Sequence, residues 1–153
     1  MREILFRGKR VDNGEWVEGS LTVNHYDRAG KLEDEYRIAD TWYGLDDEDL
    51  PTYQIGLDEA VVPSTVGQYT GLTDKNGKKI FEGDIVRYPV YQGSYRGEDI
   101  HQVVFERRGG SAYFGITMDD IETWYFCMSV PADLMEVIGN IHDNPELIGG
   151  EKK

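Results

Sequence analysis

The sequence is poor in the residues that build common catalytic and metal sites. It has a single cysteine, Cys127, in 153 residues, which excludes an intramolecular disulfide framework and is typical of a reducing compartment. Its three histidines are far apart, and none has a metal-ligand spacing such as H-E-x-x-H. It also lacks the G-x-S-x-G, Walker A and dinucleotide-binding motifs. The sequence therefore predicts no catalytic residues, no metal site and no cofactor.

Long hydrophobic runs are also missing. No apolar run is long enough to span a bilayer, and the first residues lack the apolar stretch of a signal peptide. Hydrophobic residues make up 39% of the chain and aromatic residues 12%, which is enough for a folded domain. We therefore expect one soluble, cytoplasmic domain over residues 1–153, with an alternative division into lobes 1–63 and 64–148 and a frayed tail over residues 149–153.

Basic residues are scarce relative to acidic ones. The chain has 16 lysines and arginines against 29 acidic residues, a net charge of -13. Between Lys31 and Ala60, ten acidic residues face two basic ones. Binding to nucleic acid needs cations that neutralise phosphates, so direct nucleic-acid binding is disfavoured and a basic protein partner is expected. The run Asp46, Asp47, Glu48 and Asp49 is a candidate interaction surface, with a solvated bend as the alternative.

The stretch from Gln68 to Tyr88 combines two turn signals with two strand signals. Asp74, Asn76 and Gly77 predict a hairpin turn, because Asn-Gly readily adopts the left-handed backbone of a primed turn. Glu82, Gly83 and Asp84 predict a second turn, in which Gly83 allows a tight bend and Asp84 accepts a hydrogen bond from backbone amides. β-Branched and aromatic residues follow each turn and indicate strands.

Two further hairpins are predicted, at Asp12–Gly14 and at Arg108–Gly110. The polar segment 25–35 is expected to be a loop. Residues 89–98 contain Pro, Gly, Ser and Tyr and are expected to form a long aromatic loop. The tyrosines beside and within that loop are candidate contact residues: Tyr88, Tyr91 and Tyr95.

The expected fold class is mainly β. Several antiparallel hairpins would form a small barrel or two packed barrel-like lobes. Helix is limited to one or two short turns, one of them near residues 131–134. Exposed sheet edges would also allow homo-oligomerisation.

Three segments resemble the YopX family of bacteriophage and prophage proteins. They are ILFRGKRVDNGEWVEGSL at residues 4–21, the central signature at residues 65–86, and EVIGNIHDNPEL at residues 136–147. Because they lie at both ends and in the middle, the resemblance covers essentially the whole chain. It implies a mainly β domain of phage origin acting in the bacterial host cell, and it carries over no catalytic residues.

Two hypotheses for the function follow. In the first, the protein is a noncatalytic phage accessory protein whose acidic loops and tyrosines contact another protein; acids spaced like phosphates on one face would make it a DNA mimic. In the second, it is a small β-barrel enzyme or a ligand- or metal-binding protein that uses Glu82, Asp84 and a histidine from elsewhere in the chain. The first is preferred, because the sequence has surface charge and turns but no reactive constellation.

Overall fold

The computed structural model describes residues 3–45, 48, 50–92, 94–117 and 132–148. Within these residues the chain forms ten strands and no α-helix. The strands are β1 (Phe6–Lys9), β2 (Trp16–Arg28), β3 (Lys31–Leu45), β4 (Pro51–Ala60), β5 (Gly67–Thr73), β6 (Lys79–Phe81), β7 (Asp84–Gln92), β8 (Tyr95–Arg108), β9 (Ser111–Ile116) and β10 (Glu136–Asn140). Short 3₁₀ turns lie at Pro63–Thr65, Ala132–Leu134 and Pro145–Leu147. The predicted mainly β fold is confirmed, with three 3₁₀ turns where the sequence predicts one or two helical turns.

The three predicted hairpins are present. Asp12–Gly14 lies between β1 and β2, Asp74–Gly77 between β5 and β6, and Gly109–Gly110 between β8 and β9. Their glycines have positive φ, for example +80° at Gly77, which glycine adopts without the steric penalty of a Cβ. The expected barrel is not formed by the described residues: β9 pairs only with β8 and β10 only with β7, so that sheet stays open.

The chain divides into two compact units, Met1–Gln68 (the first unit) and Tyr69–Lys153 (the second unit). The boundary falls within β5. The first two residues of β5 pair with β1 in the first unit, whereas Tyr69 and Thr73 pair with β6 in the second.

The first unit contains an antiparallel sheet in the order β4-β3-β2-β1. Its longest feature is the β2–β3 hairpin, which closes with a two-residue turn at Ala29 (φ +56°) and Gly30 (φ +82°). The Gly30 N–H donates to Asp27 Oδ1 at 2.8 Å. The predicted loop over residues 25–35 is therefore wrong: nine cross-strand pairs run from Ser20–Ala39 to Arg28–Lys31. The segment is polar because both faces of the hairpin are exposed near its tip, so its strands do not need alternating apolar residues.

A few buried residues and close backbone approaches hold the first unit together. Ile38 is fully buried and Val61 is buried. A Cβ added to Gly8 would lie 3.1 Å from the Val61 Cβ, and one added to Gly19 would lie 2.3 Å from the backbone oxygen of Ala39. Glycine is thus required at residue 19, since any side chain would push β2 away from β3.

The second unit has a larger apolar core. Its four-stranded sheet has the order β10-β7-β8-β9. Seven buried residues form one cluster, each contributing on the order of 2 kcal/mol by leaving water: Ile80, Val86, Tyr88, Val103, Ile116, Met135 and Val137. Ile85, on the other face of β7, is also fully buried. Both faces of β7 are therefore covered.

The predicted aromatic loop over residues 89–98 is also wrong. β7 and β8 continue as a hairpin through that segment, with pairs from Ile85–Gln102 to Gln92–Tyr95. Pro89 is accommodated because the second neighbour of β7, β10, pairs only as far as Arg87. A residue with no N–H is tolerated on a part of the strand that has a single neighbour.

Candidate functional site

Asp74 organises the turn between β5 and β6. Its side chain is 5% exposed. Oδ1 accepts the backbone N–H groups of Asn76 (2.8 Å) and Lys78 (2.9 Å), and Oδ2 accepts that of Val137 at 3.0 Å. Burial raises the pKa of this carboxyl, but the hydrogen bonds from Val137, Lys78 and Asn76 outweigh burial and leave the pKa below its ordinary value. Asp74 therefore holds the turn against the start of β10.

The residues Glu82, Gly83 and Asp84 form the tight turn between β6 and β7. Gly83 has φ +82° and donates its N–H to the backbone oxygen of Val103 at 2.8 Å. Asp84 is fully buried, and its Oδ2 accepts the Phe81 N–H at 2.8 Å. Glu82 is half-buried. The Asp84 carboxylate is thus engaged by the backbone of its own turn, as the sequence indicates.

One histidine does come close to this turn. The Nε2 atom of His142 lies 3.9 Å from the position a Cβ on Gly83 would occupy. Across the described residues, however, no group of three or more His, Cys, Asp or Glu side chains could hold a metal ion. His25 instead pairs with Asp34, and Cys127 lies outside the described residues.

Tyr88 is a core residue and not a surface contact, which corrects the sequence prediction. Its side chain is 4% exposed and stacks on His101, with 5.7 Å between ring centroids. Burial, with a smaller contribution from Asp99, raises the pKa of Tyr88 to about 12. Tyr91 and Tyr95 lie near the end of the β7–β8 hairpin. Their role as contacts stays a prediction.

The predicted acidic surface is described only in part. Glu48 is exposed in a turn between β3 and β4. Asp46, Asp47 and Asp49 lie outside the described residues. The interaction surface proposed for this run therefore stays a prediction.

A second acidic feature lies on β3, in the segment predicted to be a loop. Glu33, Asp34 and Glu35 are consecutive in this strand. Neighbouring strand residues point to opposite faces, so Glu33 and Glu35 share one face and Asp34 takes the other. These three acids do not form the single row that a DNA mimic would need.

Nearby basic groups pair with these acids at the surface. Asp34 lies 2.6 Å from His25 Nδ1, Glu33 lies 3.7 Å from the Lys31 ammonium, and Glu35 lies 3.3 Å from Arg37. The first two pairs are exposed and the Glu35–Arg37 pair is half-buried; exposed pairs typically contribute less than about 1 kcal/mol. The pairs of Glu33 and Asp34 are therefore weak enough to rearrange when another cation binds.

A cavity of about 280 Å³ opens beside this part of β3. We call it the edge cavity. Its lining combines apolar groups, two tyrosines, one arginine and the three acids: Val11, Tyr26, Arg28, Glu33, Asp34, Glu35, Tyr36, Ala60, Val61 and Pro63. Apolar groups beside carboxylates suit a side chain with an aliphatic stem and a cationic end. The sequence does contain one indication of this arrangement. Asp27 and Gly30 are typical turn residues, and together they favour a hairpin over a loop for this segment.

The second unit has a much smaller cavity, of about 40 Å³, lined by residues that include Leu72, Ile80 and Phe114. Its volume is near that of a single water molecule. It is a gap in the packing, and the edge cavity is the better candidate for recognition.

Comparison with known proteins places the chain in a family. The family model described as YopX protein matches residues 5–149. Among solved structures, the chain resembles the crystal structure of protein EF1440 from Enterococcus faecalis, with 27% sequence identity and a TM-score of 0.59 over 97% of this chain and 99% of that chain. No curated protein matches the sequence. Because the family model covers nearly the whole chain, the protein belongs to the YopX family.

Proposed function

We propose that this YopX family protein is a noncatalytic accessory protein of a bacteriophage or prophage, which binds a basic protein in the host cytoplasm through the acidic surface of its first unit. One observation carries the proposal. Every described acidic residue of the first unit is exposed or half-buried. Charge held at the surface is available to a partner, whereas buried charge is not.

The charge balance of the two units supports this assignment. The first unit has fifteen acidic residues against seven basic ones, a net charge of -8, and the second has fourteen against nine, a net charge of -5. A surface with this excess attracts cations over about 8 Å at physiological salt and repels phosphates. A basic protein is favoured over a nucleic acid for that reason.

Three acids of the second unit that are buried or half-buried have a different use. Asp74 and Asp84 accept backbone N–H groups. Glu136 accepts from Lys75 at 2.6 Å and Arg87 at 2.8 Å, and these two side-chain hydrogen bonds lower the pKa of its carboxyl. Because these carboxylates stabilise turns and strands, we place the binding surface on the first unit.

The proposal is tested by affinity capture. The immobilised protein is exposed to a bacterial lysate with and without phage expression, and bound proteins are eluted with a salt gradient. The same experiment is run on a variant in which Asp46, Asp47, Glu48 and Asp49 are replaced by their amides and on one in which Glu33 and Glu35 are replaced by glutamine.

We expect a specific basic protein that elutes sharply with salt and is captured less by at least one of the two variants. The control matched to the Glu33 and Glu35 variant replaces Glu98 and Glu146, two exposed acids of the second unit, by glutamine. It should capture the same protein as the unmodified chain. Equal capture by all variants, or elution that is insensitive to salt, would contradict the proposal.

A further inference from the structure

The open side of β3 near the edge cavity gives the binding surface a defined geometry. β4 runs beside β3 from the pair Leu45–Pro51 to the pair Arg37–Ala60, where the register ends. The chain then leaves β3: the Val61 N–H still reaches the Tyr36 oxygen at 2.9 Å, but Val62 donates to Lys9 of β1. From Lys31 to Glu35, β3 therefore has β2 on one side and, among the described strands, no neighbour on the other.

The backbone groups that face this open side follow from the alternation of an antiparallel strand. The N–H and C=O of one residue point to the same side, and successive residues alternate. Because the Tyr36 oxygen points towards Val61, the backbone groups of Asp34 and Leu32 point the same way. They face the side that β4 has left. An edge of this kind is a template for one more strand.

The residues around this edge favour an added strand with cationic side chains. The edge cavity lies beside it, with Val61 and Pro63 among the apolar lining residues and Glu33 and Glu35 among the acidic ones. Arg28 already illustrates the preferred contact: its guanidinium lies 5.6 Å from the Tyr26 ring centroid and 4.0 Å from Glu33. A second cation would find the same aromatic and carboxylate groups.

We propose that a basic, extended segment of the partner protein pairs with β3 at Leu32 and Asp34, in the position beyond the end of β4, and places a lysine or arginine side chain over the edge cavity. This inference deepens the proposed function and rests on it. Main-chain hydrogen bonds provide binding energy and the cavity provides side-chain selectivity, as in other cases of strand addition. The exposed Leu32 side chain, 77% accessible, gives the segment an apolar contact at the hairpin end.

The test uses a fluorescent eight-residue peptide of alternating lysine and valine as the probe. A second peptide has the same sequence with methyl groups on alternate backbone nitrogens, which keeps its charge but removes its strand hydrogen bonds. Affinities are measured by fluorescence anisotropy, and the amide protons of Leu32 and Asp34 are followed by NMR hydrogen exchange.

We expect N-methylation to weaken binding at least tenfold and the Leu32 and Asp34 amides to exchange more slowly in the complex. Leu32→Pro removes one edge N–H without removing a hydrogen bond to β2, and should also weaken binding at least tenfold. Circular dichroism checks the fold of this variant, and the N-methylated peptide gives the same test on the unmodified protein if the variant does not fold.

The outcomes separate this inference from the proposed function. If both peptides bind equally tightly, and Glu33→Gln with Glu35→Gln still weakens binding of both, strand addition is overturned and the acidic binding surface survives. If neither peptide binds, or if salt does not weaken the binding of either, the proposed function fails and the inference fails with it. If the Leu32 and Asp34 amides are protected without peptide, and only at concentrations where the protein dimerises, the occupant is a second copy of the chain and the basic segment is overturned.

Discussion

The two units differ in where their acidic side chains lie: among the described residues, only the second unit buries any of them. In the second unit, Asp74 and Asp84 are buried and accept backbone hydrogen bonds, so their charge stabilises turns. In the first unit, residues such as Asp34 and Asp40 are exposed. A carboxylate therefore stabilises the fold where it is buried against N–H groups, and is accessible to solvent where it lies at the surface. The net charge of -13 does not distinguish buried from exposed acids, because it counts both alike.

The apolar cores differ as well. The second unit has a cluster of seven buried residues, while the first unit relies on Ile38, Val61 and close contacts at Gly8 and Gly19. A small core leaves less tolerance for backbone displacement. Each prediction below tests one side of this comparison, from the largest expected effect to the smallest.

Gly19→Ala is expected to have the largest effect. Its new Cβ would overlap the Ala39 oxygen, 2.3 Å away, so β2 and β3 must separate and the free energy of unfolding should fall by about 3 kcal/mol. Gly115→Ala is the matched control in the second unit, because its nearest neighbour would be a side-chain atom of Tyr113 at 3.5 Å; a change below about 1 kcal/mol is expected. Urea unfolding measures both, and equal losses would contradict the comparison.

Asp74→Ala should lower the free energy of unfolding by about 2–3 kcal/mol, because three backbone N–H groups lose their acceptor and that of Val137 is buried. Asp27→Ala is the control from the first unit. It removes one exposed hydrogen bond, to Gly30, and should lower the free energy of unfolding by about 0.5 kcal/mol. If the Asp27 variant loses as much as the Asp74 variant in urea unfolding, the structural role assigned to buried acids is wrong.

The pH dependence of stability should carry the signature of Asp74. The pKa of its carboxyl in the folded protein is below the ordinary value of 3.8, so the folded state releases this proton more readily than the unfolded state. The resulting stabilisation is fully present above pH 3.8 and is lost as the pH falls from there through the folded pKa. Asp74→Asn removes this titration. Urea unfolding between pH 7 and pH 2.5 should therefore show a shallower acid decline for Asp74→Asn than for the unmodified protein, and identical declines would contradict the assignment.

Asp34→Asn should have the smallest effect on stability. Its partner His25 and Asp34 itself are 68% and 48% exposed, and such pairs contribute little in water. We expect a change within about 0.5 kcal/mol in urea unfolding. A loss above about 1 kcal/mol would show that the acids of the first unit also hold its fold.

Sequence patterns predicted the local turns better than the long strands. Gly77, Gly109 and Gly110 lie at hairpin ends because a positive φ is a local requirement that glycine meets. The sequence predicts loops for parts of the β2–β3 and β7–β8 hairpins, because polar residues and Pro89 obscure strand periodicity. Pairing between strands, which decides these cases, depends on residues far apart in the chain.

The candidate site shows the same limit. The acidic excess between Lys31 and Ala60 was readable from the sequence. The edge cavity was not, because Val11 and Pro63 approach β3 only through the fold. Tyr88 is predicted as a contact residue because it adjoins the expected loop; the residues that bury it are distant in the sequence and meet it only through the fold.

The most direct test of the central claim is isothermal titration of the lysine–valine peptide into two variants that lose the same charge. One carries Glu33→Gln, Asp34→Asn and Glu35→Gln in the first unit. The other carries Glu98→Gln, Asp133→Asn and Glu146→Gln at three exposed acids of the second unit. We predict that the affinity falls at least tenfold for the first variant and less than twofold for the second. Equal losses would mean that the peptide responds only to total charge, and would contradict the assignment of binding to the first unit.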